Sequence, residues 1–323
     1  DGITDDTAAL NDCLAYAAAT GTKVIDNGSH KYLITGAILI SGCVDINLGH
    51  STIVASTENS MINIDDPDDG DYVRTHGVVE QINFDCNYVA KFGVLIGTTY
   101  RRTIRDIRIT RPKGYCFYLE KETPGANTFI NNCYCDMGSI EQPDAVVMYM
   151  GKYDIHVDRL DWVNFKNGII VDGPNAILDN CHGFVGTTMY KDSYFMKFTR
   201  GGRYVINNSY PDTQQYYFKV EGDISPVILI NGMTAYTNPD HVNATTITQF
   251  GRSYLFYLDN VDNGAFIVVR NGVDVFPTNS GADTHLISNL ASGNKIDYDS
   301  SVLVSRFVPT TGEQVYETTR LTI

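Results

Sequence analysis

Ile82-Asn83-Phe84-Asp85 is answered along the chain by Ile107-Arg108-Ile109-Thr110, Cys133-Tyr134-Cys135-Asp136, Leu160-Asp161-Trp162-Val163 and Cys181-His182-Gly183-Phe184. First and third positions in these pieces are mostly apolar, the alternation of a strand that buries one face. The pieces recur roughly every 21 to 30 residues, the length of one solenoid coil. A second series follows in phase: Gly93-Val94-Leu95-Ile96, Cys116-Phe117-Tyr118-Leu119, Val146-Val147-Met148-Tyr149, Gly168-Ile169-Ile170-Val171, Tyr194-Phe195-Met196-Lys197, Tyr216-Tyr217-Phe218-Lys219 and Tyr254-Leu255-Phe256-Tyr257. An isolated coil can neither bury its apolar side nor pair its backbone, whereas coils stacked about 4.8 Å apart do both. A sandwich or propeller would show hairpin turns, but the Asn-Gly and Asp-Gly sites here do not separate strands in a regular hairpin series, and they fit as corners between coil faces.

The expected fold is therefore all-β, a right-handed parallel β-helix with a short N-terminal capping α-helix. Asp5 or Asp6 can N-cap a segment whose Leu10, Cys13, Leu14 and Ala17 share one face, and Gly21 supplies the stop. Residues 1–21 form the capping segment, 22–294 the β-helix and 295–323 further strands with a possible role in trimer contacts, together one elongated domain. Residues from Tyr236 to Gly251, with Asn-Pro and a Thr-rich run, read as a loop inserted between faces.

A formal net charge of -14 would repel a phosphate backbone, so nucleic acid is not an expected partner. With 21 Tyr, 14 Phe and 1 Trp, the composition suits a surface of amphipathic rings such as sugar binding uses. No apolar run is long enough to span a bilayer, so membrane insertion is not expected. The chain opens at Asp1-Gly2-Ile3 without Met or a basic flank and hydrophobic stretch, so localisation is inferred and not read. Among seven Cys, Cys86, Cys116, Cys133, Cys135 and Cys181 lie in or beside strand patterns and read as buried free thiols. No Cys or His cluster supplies zinc ligands at a usual spacing, so no metal or cofactor is expected.

Asp1-Gly2-Ile3-Thr4-Asp5-Asp6-Thr7-Ala8-Ala9-Leu10, with Lys23-Val24-Ile25-Asp26 and Lys31-Tyr32-Leu33-Ile34, resembles the start of the pectate-lyase-like β-helix superfamily over about 50 residues. Within it the chain looks most like bacteriophage tailspike or capsule depolymerase proteins. That resemblance implies a homotrimeric virion component, a tail appendage acting outside the cell, which binds and hydrolyses or eliminates a bacterial surface polysaccharide (capsule, O-antigen or exopolysaccharide). The Asn-Thr-Asp, Asp-Asp and Gly-His-Gly set of polygalacturonases is missing. So is the Arg-x-Pro-x-x-Arg segment of pectate lyases, which Arg111-Pro112-Lys113 matches only superficially. No catalytic residue carries over by motif.

Glycoside hydrolysis needs one carboxylic acid to protonate the leaving oxygen and a second carboxylate as base or nucleophile. If Phe84, Ile109, Cys135 and Trp162 form one inward column, then Asn83, Arg108, Tyr134 and Asp161 form an outward one, and Asp136 shares the face of Asp161. One coil and two residues separate Asp136 from Asp161, on the order of 8 Å, within the roughly 6.5 to 9.5 Å of inverting glycosidases. They are the leading catalytic pair, set against the reading of ordinary solvated surface Asp. Glu120, Glu122, Glu141, Asp158 and Asp172 are alternatives. Tyr134 and His182 are placed to stack on or hydrogen-bond a sugar, or equally to form an aromatic ladder at a trimer interface. Residues 101–113, with Arg108 among them, concentrate positive charge that suits acidic sugars, or is balanced by acidic neighbours across a subunit interface. Endo-acting hydrolysis is favoured over elimination because carboxylates outnumber Lys and Arg bases near aromatics. A noncatalytic glycan-binding adhesin and a polysaccharide lyase remain the alternatives.

Overall fold

The computed structural model describes residues 2–65, 77–121, 125–140, 142–185, 191–236, 254–259, 264–276, 285–289, 293–298, 302–307 and 314–317. Residues 237–251 of the expected loop, and Glu122 and Glu141, lie outside them. By its contacts the chain divides into two compact units, Asp1–Trp162 and Val163–Ile323.

The first unit opens with the helix Thr7–Thr20. Asp5 supplies the capping acceptor, its Oδ1 taking the Thr7 N–H at 3.0 Å; the Asp6 carboxylate makes no cap bond and accepts the Leu33 N–H instead, at 3.1 Å. Gly21 ends the helix in the left-handed region, φ 68°, its N–H bonded to the Ala17 carbonyl. Leu14 and Ala17 are buried as expected, but Cys13 is exposed. The reason is that the helix docks through a polar residue: Asn11 Nδ2 donates to the Ala37 carbonyl at 3.0 Å and its Oδ1 accepts the Leu39 N–H at 2.7 Å. Strand Ile38–Ile40 is the end of its sheet, so Asn11 satisfies backbone groups that an open edge would expose.

Two parallel sheets follow. One orders Val24–Ile25, Ile46–Ala55, Gly77–Asp85, Arg102–Thr110, Phe129–Asp136 and Ile155–Val163; the other orders Ile38–Ile40, Ser60–Ile64, Phe92–Ile96, Tyr115–Leu119 and Val146–Met150. Registers agree with the repeat, with Ile82 beside Ile107, Phe84 beside Ile109 and Cys135 beside Ile109. In the second series Tyr115 pairs with Val146, so Val147 and not Val146 matches Cys116. This is the parallel β-helix that the repeat predicts.

Each long strand of the first sheet serves two faces, because a single left-handed residue bends it. Gln81, Asp106, Asn132 and Arg159 have φ of 56°, 55°, 52° and 54°. Inward positions break their alternation there: Val79, Ile82 and Phe84 are buried in one coil, Ile104, Ile107 and Ile109 in the next, then Ile130, Cys133 and Cys135, then Val157, Leu160 and Trp162. The left-handed conformation costs an L-residue about 1–2 kcal/mol, least for Asn and Asp, and inward side chains on both sides of the bend repay it, each worth about 1.5–3 kcal/mol when fully buried.

The second unit repeats the design. Its first sheet orders Asn175–Asp179, Arg203–Asp212, Val227–Tyr236 and Phe266–Phe276, with His182–Phe184 beside Arg203–Asp212. Its second orders Asn167–Val171, Tyr194–Phe198, Tyr216–Glu221, Tyr254–Asp259 and His285–Asn289. Here the bends are Asn180, Asn208, Gly232 and Asn271, all with φ between 48° and 60°. Toward the C-terminus Lys295–Tyr298 and Val302–Phe307 continue the parallel pairing, and Gln314–Glu317 joins antiparallel. Cys86, Cys116, Cys133, Cys135 and Cys181 are buried free thiols, and burial raises the pKa of Cys86, Cys116 and Cys133, keeping them protonated. Among the described residues no helix is long and apolar enough to cross a membrane.

Candidate functional site

The bends of the first unit position a site. Asn83, Arg108, Tyr134 and Asp161 each stand two residues after a bend residue, so all four project outward from the same face of successive coils. Asn131 and Asp158, each one residue before its bend, confirm the register of the last two coils, the Asn131 Nδ2 donating to Asp158 Oδ2 at 2.8 Å. With His50, Gln81, Asp106 and Asn132, the side chains of Asn83, Arg108, Tyr134 and Asp161 line an open depression of about 470 Å³.

Arg108 lies over the Tyr134 ring, its guanidinium carbon 5.2 Å from the centroid. Burial is the main cause that raises the Tyr134 pKa; the negative charges of Asp136 and then Asp161 add to it, and Arg108 opposes them. Asp136 Oδ1 accepts the Gly138 N–H at 2.8 Å, which fixes the turn after its strand. Asp106 accepts a bond from Asn132 Nδ2, and Asn83 Nδ2 donates to the His50 carbonyl at 2.6 Å. The wall therefore presents amide, carboxylate, guanidinium and phenol groups whose orientations are partly fixed, a set suited to a ligand rich in hydroxyls.

Arg108, Tyr134 and Asp161 line the depression together, whereas Asp136, two residues beyond Tyr134 on its strand, is not among the lining residues. Glu120 does not join them: it directly follows strand Tyr115–Leu119 of the other sheet, where it and Asp65 favour the charged form of Lys152 against the burial that lowers this amine to about 8. Asp172 belongs to the second unit, buried after Asn167–Val171 close enough to Tyr204 to raise its pKa, burial being the larger cause. His182, also in the second unit, stands two residues after its own bend, and its ring packs on Tyr210 at 4.8 Å with Nε2 buried and unbonded. Asp158 is engaged by Asn131 and by Arg159, the latter at 3.2 Å.

Three arginines of the basic segment are engaged within the chain. Buried Arg102 donates to the carbonyls of Val44 and Gly42; Arg105 Nε donates to Glu80 at 2.6 Å and Arg111 Nε to Asp85 at 2.8 Å. Arg108 faces the depression. Asp106 and Gln81 escaped the sequence reading, because their place in the site depends on a bend that alternation alone does not reveal. Outside the depression, Phe92, Tyr115, Tyr118 and Tyr149 form a packed aromatic cluster on the first unit's other sheet, Tyr118 and Tyr149 stacked at 4.8 Å and 14°.

No protein-family model matches the chain, and no curated protein matches it significantly. Among solved structures it is similar to the tailspike protein of E. coli bacteriophage HK620 in complex with pentasaccharide: 10% identity, TM-score 0.61, 94% of this chain and 63% of that one. A substituted form of the same tailspike, also with pentasaccharide, gives a TM-score of 0.63 at 10% identity. The fold is that of the right-handed parallel β-helices. An endo-xylogalacturonan hydrolase from Aspergillus tubingensis shares it, with TM-score 0.54 and 11% identity over 94% of this chain and 92% of that one. The β-helix described here thus spans just under two thirds of the tailspike's length. At such identities the likeness carries the fold, and function must be argued from the site.

Proposed function

We propose that this β-helix is a phage tailspike-type depolymerase that binds and cleaves a bacterial surface polysaccharide by endo-glycosidic hydrolysis. The observation that carries the reading is the convergence of Arg108, Tyr134 and Asp161 on one depression, with Asp136 two residues beyond Tyr134 on the same strand. In this reading one of Asp136 and Asp161 protonates the glycosidic oxygen while the other, as carboxylate, activates water on the opposite face. Tyr134 and Arg108 hold the sugar ring and its substituents. A homotrimer on the phage tail is the assembly that goes with this activity, and the solved tailspike bound to pentasaccharide supports a glycan as ligand.

Incubating the purified protein with a panel of bacterial capsules and O-antigens tests it. New reducing ends without unsaturated product support hydrolysis. An unsaturated product replaces the carboxylate pair by a Lys, Arg or Tyr base, and retention on a glycan without cleavage makes the chain an adhesin.

A further inference from the structure

The second unit's second sheet carries two register columns, one half-exposed along its length and one buried at Tyr194 and Tyr216. Lys197, Lys219 and Tyr257 are register partners in one, and Tyr194, Tyr216 and Tyr254 in the other. The lysines do not extend into water. Lys219 Nζ lies 5.5 Å and 5.8 Å from the Tyr216 and Tyr257 centroids, and Lys197 Nζ lies 5.7 Å from Tyr194. Both ammonium groups converge on Glu221, at 2.8 Å from Lys197 and 3.3 Å from Lys219. Tyr216 and Tyr257 are 4.4 Å apart between centroids, and Tyr216 donates to Asp192 Oδ1 at 3.3 Å. The lysine side chains are only 23% and 15% exposed, so most of their rotamer freedom is already lost before any ligand arrives.

From this arrangement we infer that the face of Tyr257, Lys219, Lys197 and Glu221, backed by the buried Tyr216, is a second glycan-binding site that takes uncharged sugar units. A partly exposed ring beside fixed donors and a fixed acceptor matches what a sugar presents, an apolar C–H face with hydroxyls at its rim. The charge decides the class. Glu221 offsets one ammonium, and Asp259 and Asp192 add negative charge: with burial as the leading cause, all three raise the Tyr257 pKa. That balance disfavours phosphate and acidic sugars and leaves neutral hexoses and N-acetylhexosamines. The inference rests on the reading that the chain binds a polysaccharide, and adds a site that the Arg108–Tyr134–Asp161 depression does not contain.

The test uses the whole chain and purified capsules and O-antigens of neutral repeat, with binding measured apart from cleavage. Tyr257→Ala and Lys219→Met, which keeps the stem's packing, should each weaken binding about tenfold and raise KM with kcat unchanged, while Tyr257→Phe stays near wild type. Unchanged affinity in both of the first two variants, with unchanged melting temperature, overturns this site and leaves the proposed function standing. A wild-type chain that binds no glycan of the panel overturns both; binding without cleavage, still weakened by the two substitutions, upholds the site and sinks only the hydrolase.

Discussion

Glu80 shows how single residues decide what the surface is free to do. Nearly buried, it accepts from Lys23 at 3.2 Å, Asn47 at 3.0 Å and Arg105 at 2.6 Å. Burial works against its charged form, but the bonds from Arg105, Asn47 and Lys23 prevail and lower its pKa below the ordinary 4.5. Its stabilisation is therefore complete above that value and is lost as the pH falls through the lower folded-state value. Glu80→Gln should destabilise the protein by about 2 kcal/mol at neutral pH, with the difference from wild type shrinking in acid; urea unfolding at pH 7 and pH 3 checks both. In the basic segment, read from sequence either as a receptor for acidic groups or as balanced by acidic neighbours across a subunit interface, Arg102, Arg105 and Arg111 serve the fold while Arg108 faces the depression.

Among the elements, the bent strand is the unit of construction, and the bend is what the alternation of apolar residues conceals. Segments such as Ile82–Asp85 and Cys133–Asp136 were legible because they start just after a bend and bury every second residue. Their partners before the bend, such as Arg203–Asn207 ahead of Asn208, stay hidden because the period breaks at one residue. The signal was present in the spacing of Asp106, Asn132, Asn180, Asn208 and Gly232, residues that tolerate positive φ. Asn208, at φ 48°, offers the cleanest test. Asn208→Ala should cost about 1–2 kcal/mol, and Asn208→Gly distinctly less, in equilibrium denaturation; equal costs would remove the conformational explanation. The site divides in the same way. Arg108, Tyr134 and Asp161 could be aligned because they keep one offset within a repeated segment, whereas Asp106 and Gln81 are bend residues. Tyr216, Lys219 and Tyr257 lay inside segments read only as strands of the second series, since a sheet with rings on both faces has no polar side to mark.

At the scale of the whole molecule, the repeat and the opening resemblance made the β-helix readable, whereas assembly leaves no periodic trace in one chain. The proposed trimer predicts, in size-exclusion with light scattering, a species of three times the 35.8 kDa chain mass. A stable monomer would favour a different kind of glycan-active β-helix. The central claim is that this fold places a cleaving carboxylate in the Arg108–Tyr134 depression. Its most direct test is the rate of reducing-end release from a glycan that the protein cleaves, for wild type and Asp161→Asn side by side. A fall of at least about 100-fold is expected, with glycan binding retained; equal rates in the two proteins would contradict the assignment of Asp161.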